Sequence, residues 1–185
     1  TAKPRAALPA DTPAFVDRTA EQGLDYPLAV TDYAQLYDLL PGDSVKMFGG
    51  FSIADLNGDG HLDLLFTERE HALRVFLGDG ELNFAEQDAA GMGLLAPGTH
   101  AVGASVADIE GDGDNDVLIV GQETRFFENT GGGSFVEDTA RIGALGAGDW
   151  LEPTASWADF DRDGDLDIFL ASRQLDPEER DVGRD

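Results

Sequence analysis

No cysteine occurs among the 185 residues, so neither disulfides nor thiol chemistry can hold or operate this chain, and its redox compartment leaves no mark. Basic residues are scarce: 12 Lys and Arg stand against 37 Asp and Glu, a formal net charge of -25. Phosphate backbones and anionic lipid surfaces repel a chain of that sign, which argues against nucleic acid and anionic membranes as partners. No apolar run approaches the ~18 residues that suggest a membrane-spanning helix, so membrane insertion is not expected. Only three histidines are present, His61, His71 and His100, with no Ser-His-Asp or Cys-His arrangement around them. What remains is a hydrophobic content of 42%, which suffices for a core at this length, and 23 glycines, which point to many tight turns.

The most informative feature present is one acidic loop in three copies. They read Asp55-Leu-Asn57-Gly-Asp59-Gly60-His61-Leu-Asp63, Asp108-Ile-Glu110-Gly-Asp112-Gly113-Asp114-Asn-Asp116 and Asp159-Phe-Asp161-Arg-Asp163-Gly164-Asp165-Leu-Asp167. Each places side-chain oxygens at positions 1, 3, 5 and 9, with glycine at position 6. Carboxylates crowded in this way repel one another unless a hard cation sits among them, and calcium takes about six to eight oxygen ligands in flexible geometry. Up to three Ca2+ ions are therefore expected. An EF-hand would need a bidentate Glu at position 12, where this chain has Phe66, Ile119 and Leu170. The plainer alternative is a set of Asp-Gly turns that merely join strands; the threefold recurrence favours metal. The middle loop departs from its sisters, because Glu110 replaces a shorter Asp or Asn and Gly111 loosens the backbone.

Repetition extends beyond the loops. Ser52-Ile-Ala-Asp55, Ser105-Val-Ala-Asp108 and Ser156-Trp-Ala-Asp159 align at offsets of 53 and 51 residues. Each loop runs into a short apolar, β-branched or aromatic stretch (Leu64–Phe66, Val117–Val120, Ile168–Leu170), which reads as a buried strand. Leu73–Leu77 and Thr124–Phe127 supply a further strand, and Phe84 and Phe135 open another. Four short strands in about 50 residues is the period of a propeller blade. The expected fold is all-β: a propeller segment of about three four-stranded blades in an incomplete ring. Residues 1–11 read as a loose N-terminus of a processed chain, and 12–24 as a strand completing a blade. Residues 25–46 form an insertion in which Tyr33, Leu36, Tyr37 and Leu40 have helical spacing. Residues 47–100 and 101–151 form two repeats, and 152–185 a partial third with two of its four strands.

Taken together, these residues resemble FG-GAP/VCBS repeats, the blades of integrin α-subunit-type propellers. The combination of Ser-x-Ala-Asp, Asp-x-Asp-x-Asp-Gly-x-x-Asp and the Phe135-Val-Glu-Asp-Thr-Ala140 type of segment is most similar to bacterial propellers associated with ASPIC/UnbV domains. The likeness covers residues 12–24 and about 47–174. It implies calcium in the hairpin between the first two strands of each blade. The implied ligands are Asp55, Asn57, Asp59 and Asp63 with the carbonyl of His61 in the first loop. The second loop would use Asp108, Glu110, Asp112 and Asp116 with the carbonyl of Asp114, and the third Asp159, Asp161, Asp163 and Asp167 with the carbonyl of Asp165. A full Phe-Gly…Gly-Ala-Pro signature is missing, Phe48-Gly-Gly-Phe51 being a partial echo, and no ASPIC/UnbV module lies within the chain.

The expected function is that of a calcium-stabilised structural or protein-binding module, or an accessory subunit of a larger assembly. Its expected partner is another protein chain or the remainder of the propeller, in an extracellular or periplasmic setting where calcium is millimolar. An enzyme is not expected, since His71 and His100 read as loop residues and the loop carboxylates are committed to metal. The alternative is a sector of a carbohydrate-binding or carbohydrate-active propeller, with Trp150 and Trp157 as candidate stacking platforms. Fold by itself does not decide between them.

Overall fold

The computed structural model describes residues 18–24, 50–67, 73–94, 101–121, 124–143 and 150–174. Among these residues ten strands form three antiparallel sheets. The first sheet runs β1 (Gly50–Ala54), β2 (Asp63–Thr67), β3 (Arg74–Gly78) and β4 (Phe84–Gln87), each hydrogen-bonded to the next. The second repeats that order with β5 (Ala101–Ala107), β6 (Asp116–Gly121), β7 (Arg125–Asn129) and β8 (Phe135–Glu137), followed by a 3-10 turn over Thr139–Ile142. The third holds β9 (Trp150–Ala158) and β10 (Asp167–Gln174). Among the described residues these sheets form two full blades and the inner half of a third, and they do not close a ring.

The sheets stack because side chains alternate across each strand, and both faces of the middle strands are apolar. In β6, Val117 and Ile119 point toward the first blade and join Leu65, Leu73, Val75 and Phe127 in one buried cluster. Their neighbours Leu118 and Val120 point the other way and join Phe126, with Ala155, Trp157, Ile168 and Leu170 of the third blade packed against them. That double burial explains why β6 reads as a continuous apolar run and not as an alternating one. The third blade has a covered face and an open one. Phe169 is 62% exposed, whereas its equivalents Leu65 and Leu118 are fully buried at 0%. Phe160 behaves alike: it is 61% exposed, and its equivalent Leu56 in the first loop is 1% exposed.

Adjacent blades are also pinned by hydrogen bonds. Asn129 Nδ2 donates to the Leu56 carbonyl at 3.0 Å, and Asn115 Nδ2 to the Asp55 carbonyl at 2.8 Å, so the second blade grips the backbone of the first loop. The turn after β4 docks on the start of β8, where the Phe135 N–H donates to the Met92 carbonyl at 2.7 Å. Gly93 in that turn has a φ of 92°, and a Cβ there would overlap the Phe135 carbonyl oxygen, so the close approach requires glycine. The segment 18–24 repeats this device one blade earlier, with the Phe84 N–H donating to the Gln22 carbonyl at 3.1 Å. Arg74 and Arg125, which recur 51 residues apart, form matching cross-strand ion pairs, to Glu86 at 2.7 Å and to Glu137 at 3.6 Å. No helix among the described residues is long and apolar enough to cross a membrane.

Candidate metal centre

All three acidic loops occupy the same place in the fold, the connection between the first and second strand of a sheet. The strand pairs end in the same register, at Ala54↔Asp63, Ala107↔Asp116 and Ala158↔Asp167. Inside each loop the aspartates collect backbone amides. Asp55 at position 1 accepts the N–H groups of Gly58 and Gly60, both at 2.8 Å. Asp108 accepts those of Asp112 at 3.0 Å and Gly113 at 2.9 Å, and Asp159 accepts that of Gly164 at 3.2 Å. The position-5 residues Asp59, Asp112 and Asp163 accept the N–H of position 7, which is His61, Asp114 and Asp165, at 2.9, 3.0 and 3.0 Å. These bonds wrap the chain around a point. The wrapping needs left-handed backbone at position 4, where φ is 75° at Gly58, 71° at Gly111 and 66° at Arg162. A side chain in that region costs about 1–2 kcal/mol, so the third loop holds Arg162 there against its own preference.

Position 9 has a different task from the others. Asp63 Oδ2 accepts the Leu56 N–H and its Oδ1 the Gly78 N–H, both at 2.8 Å. Asp116 does the same with Ile109 at 3.0 Å and Asn129 at 2.9 Å. Each of these buried carboxylates fastens its hairpin loop to the end of the sheet's third strand. Burial pushes the pKa of both upward, and their amide bonds only partly offset it. Asp167, with β10 as the last described strand, accepts the Phe160 N–H at 2.9 Å.

The third loop brings the expected ligands together most fully. Carboxylate oxygens of Asp159, Asp161 and Asp167 lie within 4.8 Å of one another. Two oxygens on opposite sides of a calcium ion, each at about 2.3–2.6 Å, stand about 4.6–5.2 Å apart, so this all-oxygen set fits a hard cation. It is the only group of three His, Cys, Asp or Glu with that convergence among the described residues. In the first loop position 3 is Asn57, whose Oδ1 accepts the Asp59 N–H at 3.0 Å and whose Nδ2 donates to Asp59 Oδ2 at 3.0 Å. In the second loop Glu110 does not turn inward: it forms an ion pair with Arg141 of the 3-10 turn. The imidazole of His61 lies beside Gly80, where an added Cβ would meet the ring, and the Asp114 carboxylate faces Gly58 of the first loop and Gly131.

Several residues that matter here carry no sequence signal of their own. Arg141 stands 31 residues after the glutamate it holds, and Asn115 and Asn129 look like ordinary turn residues until the blades are stacked. Trp157 packs into the core between the second and third blades with its Nε1 buried and unpartnered among the described residues. That placement makes it a core residue. His71, His100, the side chain of Trp150 and the insertion at 25–46 lie outside the described residues.

The shifted carboxylates yield a pH prediction for the metal-free chain. Asp63 and Asp116 have folded pKa values above their unfolded ones, so the folded state binds more protons as pH falls toward the ordinary carboxylate range. Their contribution to stability therefore rises on mild acidification. Asp59, Asp79 and Glu86 are pulled down by hydrogen bonds and act in the opposite sense, but they are exposed and solvent-screened. In chelator, thermal unfolding should shift to higher temperature as the pH falls from neutrality toward the ordinary carboxylate range. In excess calcium the same change should lower it, because bound metal requires ionised carboxylates.

A run of antiparallel four-stranded sheets, each carrying an acidic loop in its first hairpin, defines a repeat-built module of the β-propeller type. The chain belongs to the FG-GAP-like repeat family, whose model matches residues 55–119 and, overlapping it, 111–170. The match concerns the repeat itself and carries nothing about ASPIC/UnbV domains. No curated protein matches the chain.

Proposed function

We propose that this chain is a calcium-stabilised propeller module that works outside the cytoplasm as a structural or protein-binding element and not as an enzyme. The observation that carries the reading is the convergence of the Asp159, Asp161 and Asp167 oxygens in a loop whose amide cage recurs in its two sister loops. Asp159, Asp161, Asp163 and Asp167 would hold one ion, Asp55, Asn57, Asp59 and Asp63 a second, and Asp108, Asp112 and Asp116 a third. The ion supplies positive charge where side chains of one sign are crowded and ties the hairpin of each blade. The loops' own residues orient the oxygens, since every position-1 and position-5 aspartate is already held by backbone N–H groups. Asp63 and Asp116 have both oxygens engaged by amides, which leaves their remaining lone pairs for metal.

The protein-binding part of the proposal rests on the third blade. Its open face presents Phe160 and Phe169 at positions that the first two blades bury or half-bury, so a further blade, or a partner chain in its place, would cover them. The extracytoplasmic part of the reading is supported by the millimolar calcium found there, which would fill such loops even at modest affinity. No described residue favours the carbohydrate reading, because Trp157 is committed to the core. The test is thermal unfolding in calcium against chelator. Calcium at a hundred times its Kd adds about 2.7 kcal/mol per site, so the midpoint should rise by about 5–10 °C for each occupied site at this chain length. An unchanged midpoint would sink the proposal.

A further inference from the structure

The second loop differs from its sisters in a way that reaches across the blade. In the first and third loops the position-3 side chain turns back, and its Oδ1 accepts the position-5 amide: Asn57 from Asp59 at 3.0 Å, and Asp161 from Asp163 at 3.2 Å. In the second loop Glu110 has left that role, and the Asp112 N–H donates instead to Asp108 Oδ1 at 3.0 Å. The Glu110 carboxylate pairs with Arg141. Arg141 also reaches Glu128 Oε2 at 3.4 Å, and its guanidinium lies 5.9 Å from the centre of the Phe126 ring. Their chain neighbours Ile109 and Ile142 both pack against the cluster of Leu118, Val120 and Phe126 that joins the second blade to the third. In the first blade the place of Arg141 is taken by Ala90, and position 3 of its loop is the uncharged Asn57. Glutamate at position 3 and arginine in the turn thus occur together.

We propose that Arg141 competes with calcium for Glu110, which makes the second loop the weakest of the three sites and sets its affinity. This rests on the calcium reading above and goes beyond it, because it ranks the sites and names a residue outside the loops as the cause. With Glu110 on Arg141, an ion in the second loop lacks its position-3 oxygen. To gain that oxygen the loop must break the ion pair and loosen the turn that closes the junction of the second and third blades. Linkage makes the effect reciprocal: whatever Arg141 takes from calcium affinity, calcium takes from the hold of Arg141 on Glu110.

The experiment is a calcium titration of the full chain, followed by calorimetry and native mass spectrometry, for the wild type, Arg141→Gln and Glu110→Asp. Aspartate keeps the charge but is one methylene shorter, so it falls back to the role of Asp161 and loses its reach to Arg141. Both variants should tighten the weakest site by roughly five- to tenfold, in the range of ordinary coupling between sites, and leave the other two in place. In chelator, Arg141→Gln should melt below the wild type, since the strut is lost with no metal to compensate. Calcium uptake with an unchanged or weakened third affinity in both variants would overturn the competition and leave the calcium reading standing. No uptake by the wild type or either variant would overturn both.

Discussion

Asp63→Ala and Asp116→Ala should each destabilise the chain by about 3 kcal/mol in chelator, where metal plays no part. Each substitution strands two backbone donors, Leu56 and Gly78 in one case and Ile109 and Asn129 in the other. A buried donor left without a partner costs about 1–3 kcal/mol, and removal of a desolvated charge returns part of that. Among the described residues Asp167→Ala strands only the Phe160 amide, in a partly exposed loop, so its effect should be about 1 kcal/mol or less. Asp63→Asn should fall between, because one amide oxygen can serve one of the two donors while the NH2 group faces the other. Urea unfolding in chelator checks the series. Equal losses at Asp63 and Asp167 would show that the third-strand anchor contributes nothing.

The second large effect reverses sign with conditions. The double change Asp159→Asn with Asp161→Asn removes two of the three converging charges but keeps side-chain oxygens for the Gly164 and Asp163 amides. In chelator the variant should be as stable as the wild type or slightly more so, since like charges no longer face one another. In saturating calcium it should lose about 2 kcal/mol relative to the wild type, the stabilisation expected from one ion at high occupancy. Paired melts of both proteins in the two buffers read this directly. A loss of the same size in both buffers would mean that these aspartates act only as turn residues.

Much of the fold was legible because the chain states it more than once. The aligned Ser-x-Ala-Asp segments and the apolar runs at Leu64, Val117 and Ile168 place β1, β2, β5, β6, β9 and β10, and the structure pairs them in one register. The unbroken apolar run in β6 signals a strand covered on both faces, which is what a middle blade requires. The loops were legible as acidic turns joining the first two strands of each blade, but the division of labour within them was not. Spacing shows that position 9 carries an aspartate; it does not show that β3 and β7 end with an amide aimed at Asp63 and Asp116. Nor does it show Glu110 drawn away, because Arg141 becomes its neighbour only once the second blade has folded. Arg162 is hidden for a different reason. Glycine at the same position in two sister loops marks a left-handed backbone, yet arginine adopts it in the third because the surrounding amide bonds outweigh its preference.

The most direct measurement is native mass spectrometry of the purified chain in calcium and after chelation. Mass increments of calcium, up to three per chain and removed by chelator, are the predicted result, with the last to bind and first to leave assigned to the second loop by Glu110→Asp. A chain that carries no calcium at millimolar concentration would contradict the central claim, and the three loops would then be turns held by their own amides alone.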